Sequence, residues 1–143
     1  AEEVATMPVP LPSEVRELLE WPNYVHLAYV RKDGTPHSVP VWVGLEGDRI
    51  LVGTGASTLK ARATRRNPAV ALSVIDREDP YREANITGRV IEQRPDENGE
   101  VMDAISRKYT GNAFPMRGPG RIALSIEVDS AQYRKLPFTH SPG

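Results

Sequence analysis

Tyr24-Val25-His26-Leu27-Ala28-Tyr29-Val30, then Arg31-Lys32-Asp33-Gly34-Thr35, then Pro36-His37-Ser38-Val39-Pro40-Val41 is the stretch on which the fold turns. The first seven residues read as a strand, and Asp-Gly at 33–34 is a strong short-range signal for a hairpin. Residues 36–45 resume a strand, Glu46-Gly47-Asp48 turns the chain again, and Arg49–Thr54 is a third strand, an antiparallel meander. Outward from there, Ala69–Ile75 is apolar enough for a central strand, and Tyr81–Gln93 for a long one. Ile86, Val90 and Ile91 are its expected buried positions, with Gly88 a bulge. Arg121–Val128 and Gln132–Leu136 complete the strands. Helices are expected from Ser13, as N-cap, to Trp21-Pro22 with Val15, Leu18 and Leu19 inward, and over Pro95–Tyr109. Residues 1–12 are Pro-rich and read as a loose lead, with one domain over 13–143. Many short strands with few helices define a mainly β protein, a small antiparallel barrel with peripheral helices.

A second stretch carries the chemistry. Leu51-Val52-Gly53-Thr54-Gly55 is a strand and glycine-bearing turn, and Ser57-Thr58-Leu59-Lys60-Ala61-Arg62-Ala63-Thr64-Arg65-Arg66 is a helix without a single acid. A helix start already carries a partial positive charge, so cations there point to a bound anion such as phosphate or carboxylate. The plainer reading is a solvated helix face. Lys60 and Arg62 stand two positions apart and cannot both sit centrally on one face. Ser57 and Thr58 are N-cap candidates in their own right.

Composition narrows the classes. The formal net charge is −1 over 143 residues, which argues against a generally basic nucleic-acid-binding surface. There is no cysteine, which removes disulfides and thiolate chemistry. No apolar run approaches the roughly 20 residues of a spanning helix, and Ala1-Glu2-Glu3-Val4 lacks signal-peptide character. A cytoplasmic protein without membrane contact is expected. His26, His37 and His140 form no metal-ligand spacing, and no nucleophile or triad stands out, so no catalytic side chain and no metal are assigned.

Three stretches taken together carry a family resemblance: Asp33 to Trp42, Thr54 to Leu72, and Asp76–Tyr81 leading into Ile86-Thr87-Gly88-Arg89-Val90. Their order resembles the split β-barrel flavin/deazaflavin oxidoreductases, the pyridoxamine 5′-phosphate oxidase-like superfamily, and within it the branch using the deazaflavin coenzyme F420. Ala63-Thr64 and Ala84-Asn85 depart from the family's usual pairs. The resemblance implies a six- to seven-stranded antiparallel split barrel and a homodimer whose two cofactor clefts are lined by both subunits. It implies that Thr54, Gly55, Ser57, Thr58, Lys60, Ala61 and Arg62 form the phosphate end. His37, Val39, Pro40 and Val41 would line the ring, and Tyr81 would reach the cleft or cover the interface. Trp42 fits the core better than ring-stacking, and Arg65 and Arg66 fit an exposed helix end. Tyr109 and Lys108 read as packing and solvated charge.

The implied function is hydride transfer from reduced F420 to a small electrophilic molecule such as an enone, tetrapyrrole or quinone. FMN is the alternative cofactor. The rival readings are a non-catalytic flavin- or tetrapyrrole-binding module and a structural dimer whose Arg-rich helix pairs with Asp76, Glu78 and Asp79. Specificity is expected to lie in Asp76–Tyr81 and Thr110–Gly120.

Overall fold

In the computed structural model, which describes residues 8–141, the chain from Pro36 to Glu46 is not one strand. It forms β2 (Pro36–Val41), breaks at Trp42-Val43, and resumes as β3 (Gly44–Glu46). Around it lie α1 (Ser13–Glu20), β1 (Val25–Val30), β4 (Arg49–Gly55), α2 (Leu59–Arg66), β5 (Ala69–Ile75), β6 (Arg82–Pro95), α3 (Glu100–Thr110) and β7 (Arg121–Lys135). The seven strands among the described residues form one antiparallel sheet in the order β2-β1-β5-β6-β7-β4-β3. β2 pairs only with β1 and β3 only with β4, so the two residues Trp42-Val43 carry the chain from one sheet edge to the other. The meander's pairings hold, while the broken strand draws the two edges together. This is a split barrel.

Residue chemistry explains the pieces. At the β1–β2 turn Gly34 takes φ 87°, a left-handed conformation that glycine reaches at little cost, and Asp33 Oδ1 accepts the Thr35 N–H at 2.9 Å. α2 stops at Asn67-Pro68, because proline has no N–H for another helical turn. Val25, Leu27, Val52, Leu72, Val74, Ile86, Leu124 and Ile126 alternate along their strands into one core, each at most 2% exposed. α1 covers this core with Val15, Leu18 and Leu19, each worth roughly 1.5–3 kcal/mol when buried.

Several expectations need correction. Ser13 is not the N-cap: Pro12 holds that position, and the Ser13 hydroxyl meets Glu14 Oε2 at 3.3 Å. The helix read from Pro95 begins only at Glu100. Pro95 closes β6, and Asp96 accepts the Val101 and Met102 N–H groups at 3.0 Å each, supplying the cap from outside the helix. Ile91 is 38% exposed rather than core, because the register slips between Val90 and Glu92 and turns the extra residue outward. The register does slip at Thr87/Gly88, where a bulge was read, but the extra residue is Asp129 on the opposite strand β7. The two C-terminal strands are a single one, β7. From Val9 the chain is anchored, with Val9 N–H on Val128 O at 3.1 Å and Leu11 buried; residues 1–7 of the expected loose lead lie outside the described residues. No helix among the described residues is long and apolar enough to cross a membrane.

Candidate functional site

The candidate site lies at the split. A cavity of about 360 Å³ opens where β2 leaves its edge, lined by Pro40, Val41 and Trp42, by Gly53 of β4, by Lys60 of α2, and by Tyr24, Met102 and Phe114. Trp42 is half-buried and stacks on Tyr109, centroids 5.2 Å apart and planes 10° apart, with Phe114 edge-on at 6.5 Å. Tyr109 is fixed in turn, its hydroxyl donating to Asn23 O at 2.7 Å and accepting the Val43 N–H at 3.2 Å. The result is a flat aromatic wall held by backbone bonds. Gly53 carries no side chain because any Cβ would overlap Met102 Sδ, which brings α3 close to the cleft.

The basic helix supplies the opposite end. Lys60 is half-buried and faces no carboxylate among the described residues, and burial, then neighbouring Arg121, push its ammonium below its ordinary pKa. The Thr58 hydroxyl is already committed: it caps Ala61 N–H at 3.4 Å, donates to Gly55 O at 2.9 Å and shares a bond with Thr54 Oγ1 at 3.0 Å. Ser57 is exposed and keeps its hydroxyl for solvent or ligand.

Of the residues read as the site, Pro40, Val41 and Lys60 meet in this cavity, beside the turn formed by Thr54, Gly55, Ser57 and Thr58. His37 lies at the start of β2, near the hairpin and outside the cavity lining, against Tyr29 with centroids 5.3 Å apart, and Val39 packs on the core. Ala61 needs correcting: it is 0% exposed and its N–H is capped, so neither its methyl nor its amide can meet a ligand. Arg62 points to solvent. Tyr81 lies elsewhere in the chain, against Phe138 at 5.4 Å and His140 at 6.4 Å. Trp42, read as core rather than ring-stacking, packs on the small core cluster of Leu51, Met102 and Ile105 and also walls the cavity. Tyr24, Met102, Phe114 and Arg121 carried no local signal and arrive only through tertiary folding.

The acidic loop does not serve α2. Asp76 binds Arg82 at 2.9 Å and Asp79 lies 3.8 Å from Lys135, whereas Arg65 donates to Gln93 Oε1 and Ala56 O. Within one copy of the chain, Asp76 and Asp79 pair with residues other than those of the basic helix. A larger cavity, about 690 Å³, lies between α1, β3 and α3. Its charges are matched internally, Arg16 with Glu20 and Asp48, Arg94 with Glu46, and Asp96 with the α3 amides. Its remaining half-buried cation, Lys108, is taken up by two backbone carbonyls, and no aromatic side chain lines it, so the smaller cleft is the better candidate for a planar anionic ligand.

Lys108 borders that larger cavity and is not the solvated charge expected of it. Its ammonium donates to Leu19 O at 2.8 Å and to Val43 O, with the Tyr109 ring 4.9 Å away, and burial brings its pKa down to about 8 despite Glu20 nearby. The unfolded chain, titrating near about 10.4, holds more protons than the fold between those values. Stability contributed by this site therefore rises with pH from about 8 to about 10.4. Urea midpoints across that window should show wild type gaining on a Lys108→Met variant; a pH-independent difference would refute the displaced pKa.

A split barrel with a cation at the foot of an aromatic cleft is the architecture these observations define. A pyridoxamine 5′-phosphate oxidase family model matches residues 11–135, and the chain belongs to that family. Among solved structures it is similar to an F420 reductase, 31% identical over 85% of this chain and 98% of that one, TM-score 0.76. It shares the fold of a conserved hypothetical protein from Mycobacterium tuberculosis (21% identity, 100% and 98% covered, TM-score 0.73). General Stress Protein 26 of Bacillus anthracis has the fold too (18% identity, 85% and 91% covered, TM-score 0.67). No curated protein matches significantly. Family and neighbours together support a flavin- or deazaflavin-related oxidoreductase or binding module.

Proposed function

We propose that this protein is a reductase that uses reduced F420 to deliver a hydride to a small electrophilic organic molecule of the enone, tetrapyrrole or quinone type. The observation that carries the reading is Lys60, a half-buried cation without a carboxylate, set in the same cavity as a flat aromatic wall. A planar ring with an anionic tail satisfies both features. Lys60, the Ser57 hydroxyl and the free amides at the start of α2 hold the phosphate. Pro40, Val41 and Trp42 hold the ring, and β2 is an edge strand on which Pro40 presents no N–H donor at its own position. His37 and Val39 support that wall from inside, and exposed Arg62 serves a ligand's outer charge.

When bound, the reduced coenzyme supplies the hydride. The chain's own task is to fix the ring, exclude water and hold the acceptor at roughly 3–3.5 Å from the reacting carbon. No side chain is assigned an acid or base role. We also propose that a second copy completes the cleft. β1, β5, β6 and β7 turn outward a face of small uncharged residues, including Ala71, Ser73, Asn85, Thr87 and Ser130, with Ile75 49% exposed beside them. An uncharged face of that kind suits a self-complementary interface, and in such a dimer Tyr81 is assigned to the partner's cleft or to the interface itself.

Titration of the purified protein with F420 and with FMN tests the reading, run beside light scattering and an acceptor panel with reduced F420. Saturable F420 binding, a mass of twice the chain and consumption of reduced F420 are the expected results. Saturation by FMN alone would move the protein to the FMN-dependent branch. Tight binding with no turnover on any acceptor would make it a binding module, and no saturation by either ring would end the proposal.

A further inference from the structure

We infer that Arg121 is a second phosphate-binding cation, acting with Lys60 across the turn between β4 and α2; this rests on the ring-and-phosphate reading above. Arg121 opens β7 and pairs with Gly55, the last residue of β4, which sets its side chain beside the turn that leads into α2. Gly55 has no side chain, and the place its Cβ would occupy is bordered by Thr58 Cγ2 at 3.7 Å and Arg121 Nη1 at 3.9 Å. The guanidinium is backed by the face of Phe114, 5.3 Å to the ring centroid, and Phe114 lines the cavity with Lys60. An aromatic backing fixes a cation without neutralising it.

Most lysines and arginines without an ion pair are exposed; Lys60, Arg121 and Lys108 are half-buried, and of these Lys108 is taken up by two backbone carbonyls. The other half-buried arginines, Arg16, Arg82, Arg89 and Arg94, each face a carboxylate. Arg121 and Lys60 face none among the described residues and instead repel each other, an effect felt in the lowered Lys60 pKa. Asp96, joined to Arg121 through a backbone bond, has both carboxylate oxygens committed to α3 amides. Two neighbouring half-buried like charges, Lys60 in the cleft lining and Arg121 behind Phe114 at its border, repel each other until an anion sits between them. A phosphate between them would meet a point charge from Lys60 and a forked donor from Arg121.

The test compares wild type with Arg121→Gln and Arg121→Lys, using FMN, F420, riboflavin and inorganic phosphate as probes. Arg121→Gln should weaken FMN or F420 binding by about tenfold to a hundredfold, leave riboflavin within about twofold, and match or exceed wild type in urea resistance without ligand. Arg121→Lys should recover part of the loss. Unchanged affinity for the phosphate-bearing ligands overturns the assignment. Equal losses for FMN and riboflavin overturn it as well, since Arg121 would then be serving the ring wall through Phe114. If no ring binds wild type while inorganic phosphate protects it in an Arg121-dependent way, the cation pair stands and the flavin reading falls. If wild type responds to none of the four probes, both fall together.

Discussion

Gly88→Ala is expected to cost about 3 kcal/mol or more of folding free energy, above the usual range for overpacking. Gly88 sits within β6 where the register slips, with Thr87 opposite Ser130 and Gly88 opposite Val128, so that Asp129 is the extra residue of β7. A Cβ at this position would overlap the Glu127 carbonyl oxygen and lie 3.2 Å from both the Glu127 carbonyl carbon and Ile126 Cγ2. The first obstacle is backbone in the longest ladder of the sheet, and the second is a residue with no exposure, so neither can yield. Gly53→Ala is the informative control. Its Cβ would also collide, but with Met102 Sδ, near the tip of an adaptable side chain in the small cluster under α3. It should cost closer to about 1 kcal/mol and shift the cleft wall instead. Urea unfolding of both variants gives the comparison. A Gly88→Ala midpoint equal to wild type would mean that the two strands do not approach so closely.

Such glycines show what local sequence can and cannot carry. The Asp33-Gly34 hairpin and the Asn67-Pro68 stop were legible because each depends on the conformational limits of one or two residues. The slip read at Gly88, by contrast, has its extra residue, Asp129, on the opposite strand and needs glycine there for close approach. The division of β2 from β3 was not. Nothing in Val41-Trp42-Val43 marks a break, since all three suit a strand; the break is imposed by two sheet edges that meet only when β5, β6 and β7 are in place. Ile91 was misjudged for the same reason, since an apolar residue reads as buried until the slip between Val90 and Glu92 turns it outward.

The site divides along the same line. The Ser57–Lys60 turn was visible as a charge anomaly, a property of the local chain. Met102, Phe114 and Arg121 join it from forty and more positions further along the sequence, without any pattern of their own. Lys108 is the opposite case, a charged residue near a helix end whose ordinary fate is solvation. Here two carbonyls, Leu19 O and Val43 O, lie within reach of its long stem and draw the ammonium inward.

Lys60→Ala should lower affinity for F420 or FMN by about 10- to 100-fold, the loss of one charge-assisted contact of roughly 1.5–3 kcal/mol, with little change in folding stability. The basis is geometric: Lys60 lines the cavity, makes no ion pair among the described residues, and in the empty protein carries a burial cost that lowers its pKa. Two neighbours on the same helix set the scale. Arg62 is exposed and outside the cavity lining, so Arg62→Ala should cost less than about threefold in affinity, as expected for a solvent-screened charge. Arg65 is bound at 2.7 Å to Gln93 Oε1 and at 2.8 Å to Ala56 O, and Gln93 in turn donates to Ala61 O at 2.8 Å. Arg65→Ala should therefore leave affinity nearly untouched and cost about 1 kcal/mol in stability, by unfastening α2 from β6. Isothermal titration and urea unfolding on the three variants separate the roles. If all three lose affinity alike, the basic helix acts as a diffuse field rather than through one contact. If Lys60→Ala loses stability but not affinity, the lysine belongs to the fold and the anion must be sought elsewhere in the cleft.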